Sequence, residues 1–172
     1  RSSGAREVQE AADELQRAAL WKGRKQALGA LGKLAPAYYT HDGVVPRSKL
    51  PQALEAIAEI GARHRLRVAN VCHAGDGNLH PLLLFDPDDH DEVGRVKAAG
   101  AEILALCVAL GGALTGEHGI GLEKQQLMPL AFEPHELEQF ERVRAVFDAE
   151  KLCNPGKLLP QGARCGEMLQ AR

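Results

Sequence analysis

His73 and His80 bracket the segment Ala74-Gly75-Asp76-Gly77-Asn78-Leu79, a spacing that can bring two imidazoles together. Neutral imidazole is a common ligand for divalent metals, and two of them leave room for further ligands and for substrate. Asp76-Gly77 between apolar runs predicts a β-hairpin with a type I′ turn, because that turn needs positive φ at both central residues. Counting outward from Asp76 and Gly77, Gly75 faces Asn78, Ala74 faces Leu79 and His73 faces His80. Cβ atoms of facing residues lie about 4.5–5.5 Å apart, close enough for both rings to share a metal. Asn78 then points to the same side as His80, since alternate strand residues share a face. Asp76 at the tip reads as a turn residue. The pattern equally suits a hairpin whose histidines are merely half-buried and hydrogen-bonded. The hairpin itself supplies no third ligand.

A second unusual stretch is Gly111-Gly112-Ala113-Leu114-Thr115-Gly116-Glu117-His118-Gly119-Ile120-Gly121, with five glycines in eleven residues. Such a density suits neither a helix interior nor an ordinary strand. It is neither a Walker loop nor a dinucleotide-binding turn, since both signatures are absent. One reading is a loop with two solvated polar side chains. In the other, Glu117 completes a two-histidine, one-carboxylate triad with His73 and His80 and leaves coordination positions open, as catalytic sites do. Adjacent residues of an extended segment point apart. His118 would therefore be splayed away from the metal and free to act as a base near neutral pH.

The elements that must position these groups follow from apolar periodicity. A helix is expected from Glu7 to Leu34, with a change of phase near Trp21–Gly23 and an end before Pro36. Ala37 to Val45 reads as a short strand stopped by Pro46, and Pro51 to His64 as a second helix. Two strands, Leu66–His73 and Leu79–Phe85, form the hairpin. Asp86-Pro87-Asp88-Asp89 opens a helix that runs to Leu110 and closes at Gly111-Gly112. A last helix from Pro134 to Phe147 is expected to bury Leu137, Phe140, Val143 and Phe147, and Asn154 to Arg172 reads as loop. The pattern predicts an α+β domain, an antiparallel sheet covered by helices, with a C-terminal helical segment.

Composition narrows the function. The 172 residues are 45% hydrophobic and 26% charged, ordinary for a globular domain and unlike a disordered or fibrous chain. A formal net charge of -2 gives no basic footprint for nucleic acid. No run approaches the roughly 18 apolar residues of a membrane helix. Cys72, Cys107, Cys153 and Cys165 form no CxxC pair, which favours a reduced compartment over a disulfide framework. Arg1-Ser2-Ser3-Gly4 has neither a start methionine nor a signal-peptide core, so the chain reads as a fragment or a processed product.

His73-Ala74-Gly75-Asp76-Gly77-Asn78-Leu79-His80 and Gly116-Glu117-His118-Gly119-Ile120-Gly121 together resemble the paired signatures of the C-terminal domain of FAD-linked oxidases. These belong to the vanillyl-alcohol-oxidase-like flavoproteins, which include D-lactate and D-2-hydroxyglutarate dehydrogenases and the D subunit of glycolate oxidase. Trp21-Lys22-Gly23-Arg24-Lys25, Asp42-Gly43-Val44-Val45-Pro46-Arg47, Arg67-Val68-Ala69-Asn70-Val71 and Asn154-Pro155-Gly156-Lys157 extend the resemblance over about Trp21 to Pro160.

The resemblance implies oxidation of a small D-2-hydroxy acid, glycolate or D-lactate, to the 2-oxo acid, with hydride passing to FAD. It matches His73, His80 and Glu117 to ligands of a divalent metal (Zn, Mn or Fe) and His118 to the base. Arg24 matches a position that binds the substrate carboxylate, and Asn78 and Lys157 match positions near the flavin. The fold implied is an incomplete ferredoxin-like substrate domain over about residues 1–130, followed by a helical segment over 131–172. The FAD-binding domain is absent from this chain, so the fragment is expected to be inactive alone. Iron-sulfur and second flavin subunits of a glycolate oxidase complex are the implied partners. The implied location is the cytoplasm, with attachment to the inner membrane face through those subunits as a further option. From the constellation alone, a metal-dependent hydrolase and a non-catalytic metal-binding module remain open alternatives.

Overall fold

The computed structural model describes residues 7–160; the expected loop beyond Pro160 and Cys165 lie outside the described residues. The chain runs α1 (Glu14–Leu31), β1 (Ala37–Thr40), β2 (Gly43–Val44), α2 (Leu50–Arg63), β3 (Arg67–His73), β4 (Asn78–Phe85), α3 (His90–Ala109) and α4 (Pro134–Phe147). Short 3-10 turns precede α2 and α4. The class is α+β with an open, wholly antiparallel sheet. Among the described residues no helix is long and apolar enough to cross a membrane. Cys72, Cys107 and Cys153 are unpaired.

Strand β4 is the centre, with β3 on one side and β1 followed by β2 on the other. The single expected strand over Ala37–Val45 is therefore split, and Pro81 is the reason. His41 donates its N–H to the Pro81 carbonyl at 3.0 Å, but a proline has no N–H to return. The register is unchanged across the break, running from Thr40↔Leu82 to Gly43↔Leu79. Asp42 thus lies across from His80.

The sheet order β3-β4-β1 with α2 and α3 on one face is that of a ferredoxin-like fold without its last strand. Where that strand would run, the chain leaves only the bridge Val44↔Ala113.

One sheet face packs on the helices. Leu79 and Leu83 of β4 meet Ala53, Ile57 and Ile60 of α2 and Val96, Ala99, Ile103 and Cys107 of α3. Each such large aliphatic side chain contributes about 1.5–3 kcal/mol by leaving water. Asp89 caps α3 by accepting the N–H groups of Asp91 and Glu92, satisfying amides that a helix start otherwise leaves open.

Two helices depart from expectation. The first begins at Glu14, where Asp13 caps the N–H of Gln16, rather than at Glu7. It also ends at Leu31, short of Leu34, and buries no residue of its own. Its phase change near Trp21 divides the apolar residues between faces, so Leu15, Leu20 and Trp21 are exposed. In α4 only Leu137 packs into a cluster with Leu104, Leu114, Met128 and Leu159, while Val143 and Phe147 are exposed. Phe140 is 40% exposed and meets Phe132 edge-on.

Candidate functional site

The sheet face turned away from α2 and α3 carries the polar groups. Asn78, His80 and Leu82 of β4 share it with His73 and Val71 of β3 and with Tyr38 and Thr40 of β1, by alternation. The hairpin register differs from the one expected. His73 faces Asn78, and His80 faces Val71. The turn is the cause. The amides of both Asp76 and Gly77 bond to the His73 carbonyl, at 2.9 and 3.1 Å, closing a four-residue loop rather than a two-residue one. Only Gly77, at φ 79°, is left-handed, so a type I′ turn does not form. Gly77 also abuts the residue after β2: a Cβ there would lie 2.1 Å from the Val45 carbonyl oxygen. The two slips in register cancel in parity, and His73 and His80 stay on one face as diagonal neighbours, ring centroids 5.4 Å apart.

The glycine segment brings in the rest. Glu117 Oε1 lies 3.1 Å from His80 Nε2 and 3.9 Å from His73 Nε2. Two atoms bound to one ion at about 2.1 Å are about 3.0–3.4 Å apart in octahedral or tetrahedral geometry. The Glu117–His80 spacing falls there, and the His73 spacing is only slightly wider. Two imidazoles and a carboxylate form a donor set suited to Zn, Mn or Fe. All three donor atoms lie within 4.8 Å of one another.

His118 is not splayed away from Glu117. Its ring stacks on His80 with centroids 5.1 Å apart and planes 23° apart, and its Nε2 is 3.6 Å from Glu117 Oε1. Both side chains enter one cleft because the segment is curved, not extended. Asp42 sits inside the curve. Its carboxylate accepts the Thr115 hydroxyl at 2.5 Å and the N–H groups of Gly116, Glu117 and His118 at 2.9, 3.1 and 3.0 Å. Lys124 Nζ donates to the same oxygen at 3.2 Å and to the Asp42 carbonyl at 2.8 Å. Asp42 is fully buried and Lys124 nearly so.

Burial alone would raise the Asp42 pKa. The bonds from Thr115, His118 and Glu117 and the Lys124 charge override it, holding the carboxyl well below the usual range. Gly116 is needed for the approach: a Cβ there would come within 2.7–2.8 Å of the Asn78 side-chain amide.

The cleft has a volume of about 410 Å³ and is lined by Arg24 and Leu28 of α1, Tyr38, Thr40, His73, His80, Glu117 and His118, among others. Arg24, with its guanidinium 5.8 Å from the Trp21 ring, is the one Lys or Arg among the described residues that line it. Asn78 is buried beside Gly116, and its Oδ1 has no partner among the described residues. Lys157 is exposed and does not line the cleft.

Of the residues singled out in the sequence, His73, His80, Glu117, His118 and Arg24 therefore converge, Asn78 borders them and Lys157 stands apart. Asp42, Thr115 and Lys124 were not legible as site residues. The available signal for Asp42 was a carboxylate inside a half-apolar strand; Lys124 carried none.

Fold and site together define a class: an α+β domain whose open sheet face gathers a histidine–carboxylate cluster under a glycine-rich loop. The chain belongs to the family "FAD linked oxidases, C-terminal domain", whose profile matches residues 1–158. It is 48% identical over 165 residues to "Glycolate oxidase subunit GlcD" of Escherichia coli (strain K12), covering 96% of this chain and 33% of that protein. It is 38% identical to the protein of the same name from Bacillus subtilis (strain 168), covering 91% and 33%. With "Probable D-lactate dehydrogenase, mitochondrial" of Danio rerio the identity is 37%, covering 92% and 32%. The chain spans about a third of the length of these curated relatives.

Proposed function

We propose that this chain is the substrate-binding C-terminal part of an FAD-dependent oxidoreductase that converts a small D-2-hydroxy acid, glycolate or D-lactate, to its 2-oxo acid. The observation that carries the reading is the convergence of His73, His80, Glu117, His118 and Arg24 on one cleft of about 410 Å³. The relatives' names, glycolate oxidase subunit and D-lactate dehydrogenase, support the substrate class.

In this reading the cluster of His73, His80 and Glu117 holds a divalent cation, Zn, Mn or Fe. Bound FAD supplies the oxidant for the α-hydride, and the cation supplies positive charge that acidifies the substrate hydroxyl. Arg24 reaches the substrate carboxylate with two parallel N–H donors, which fixes the α-carbon. His118 accepts the hydroxyl proton on a ring nitrogen; stacked on His80 and half exposed, it can pass that proton to water. Thr40, Tyr38 and Leu28 bound a cleft that suits a small acid.

Asn78, whose buried Oδ1 has no partner among the described residues, and the exposed Lys157 are the contributions of this chain to the flavin side. The described residues up to about 130 belong to the substrate domain and α4 to the helical segment that follows it, and the intact protein carries an FAD-binding domain besides. Because two of the relatives are named as subunits of glycolate oxidase, the intact protein is proposed to work in a multi-subunit complex.

Dye reduction by the purified full-length protein tests the reading. Glycolate, D-lactate and D-2-hydroxyglutarate are offered in turn. Reduction with at least one of them is expected, and a chelator should suppress it. A flavoprotein that reduces no dye with any of these acids would contradict it.

A further inference from the structure

We propose that Asp42 is a positioning residue: its buried carboxylate bends the backbone of residues 115–118 so that Glu117 and His118, neighbours in sequence, both face the cleft. The inference rests on the reading of that cleft given above.

Consecutive residues of an extended chain present their side chains to opposite sides. Successive N–H donors converging on one carboxylate, as found here, remove that alternation. The amides of Gly116, Glu117 and His118 all point at Asp42 Oδ2, at 2.9, 3.1 and 3.0 Å. Three successive N–H groups aimed at one oxygen require a concave backbone, the arrangement called an anion nest. Its convex side then carries neighbouring side chains in one general direction. Here the anion is part of the protein.

Asp42 is placed for this by the sheet. The unbroken register on either side of Pro81 sets it across from His80, on the same face, so the cradle is tied to the strand that carries one member of the cluster. The Thr115 hydroxyl closes the first end of the curve, donating to Asp42 Oδ2 at 2.5 Å and accepting the Gly119 N–H at 2.8 Å. Lys124, side chain 6% exposed, balances the carboxylate charge, so the cradle does not leave an unpaired buried ion. The Asp42 carboxylate lies within 4.8 Å of ring nitrogens of His80 and His118, but its Oδ2 is taken up by Thr115, the loop amides and Lys124. Its effect on the chemistry runs through where Glu117 and His118 stand.

The test uses the full-length protein and the variant Asp42→Asn, which keeps the side-chain shape and loses the charge. Two quantities are read: the dissociation constant for Mn²⁺ alone, and amide hydrogen exchange at residues 116–118 against that in α2 and β4. The expected result is a 10- to 100-fold weaker Mn²⁺ affinity, the range typical for groups that orient metal ligands. Exchange at residues 116–118 should quicken by at least a comparable factor relative to α2 and β4.

A uniform loss of protection along the chain, with Mn²⁺ affinity of the folded protein unchanged, would overturn the inference and leave Asp42 a merely stabilising residue. If Asp42→Asn does not fold, Thr115→Val decides. It should give the same local quickening with a smaller loss of affinity, and unchanged local exchange would overturn the inference. Wild-type protein that takes up no Mn²⁺ would count against the metal reading of His73, His80 and Glu117. The exchange measurement would then still decide the role of Asp42.

Discussion

The imidazole of His118 lies flat against that of His80, with ring planes only 23° apart, although the two residues come from different elements. The stacking holds the His118 ring at the cleft, where in the proposed reading it takes the hydroxyl proton. His118→Asn should therefore lower turnover of the intact enzyme by about 10²- to 10⁴-fold. Metal content should stay near wild type, since His118 is not one of the three clustered donors. Steady-state rates and elemental analysis on the same preparation check this. Near-normal turnover would assign the base elsewhere.

Glu117→Gln keeps the length of the side chain but removes the anionic donor that the proposed metal site needs. Even residues that only orient ligands cost 10- to 100-fold in metal affinity, so this change should cost at least about tenfold. Titration with Mn²⁺ reads the loss. An unchanged affinity would remove Glu117 from the ligand set.

Gly116 and Asn78 are coupled by space. A Cβ at position 116 would meet the Asn78 amide at 2.7–2.8 Å. Gly116→Ala should destabilise the fold by about 1–3 kcal/mol, the usual range for overpacking. Asn78→Ala opens the space, so the double variant should recover at least half of that loss. A denaturant-based double-mutant cycle measures the coupling, and strictly additive effects would contradict the contact.

His41 lies under the sheet with its Nε2 unpartnered among the described residues. Burial and the nearby Lys124 charge lower its pKa from 6.5 to about 4. The unfolded chain therefore binds a proton between pH 6.5 and 4 that the folded protein does not. Stability from this group is complete above pH 6.5 and is lost as pH falls toward 4, by about 3 kcal/mol in all. Unfolding curves across that range should show the loss, and His41→Phe should flatten it. An equally steep loss in His41→Phe would place the proton uptake on another group.

Much of the fold was legible in the sequence because it rests on local patterns. The apolar spacing of Ala53, Ile57 and Ile60, and of Val96, Ile103 and Cys107, marks helices whose buried faces are those in the structure. Asp76-Gly77 marks the hairpin, yet not its loop length, which depends on the contact of Gly77 with Val45 from a distant strand. The shared face of His73 and His80 survived that error because face depends only on the parity of the register. Val143 and Phe147 of α4 fit an apolar stripe yet stay exposed, since periodicity shows an apolar face but not whether anything covers it. The curve at Glu117 and His118 was hidden for a similar reason. Its amides close on Asp42, far away in sequence, and no local pattern encodes that contact.

The central claim is that a cation held by His73, His80 and Glu117 makes 2-hydroxy-acid oxidation possible in the intact flavoprotein. The most direct test is anaerobic bleaching of the flavin absorbance on mixing with D-lactate or glycolate, compared before and after removal of metal by a chelator. The account predicts rapid bleaching with metal in place, a loss of at least about 100-fold in rate on stripping, and recovery when Mn²⁺ or Zn²⁺ is returned. Bleaching at an unchanged rate in fully stripped protein would contradict it.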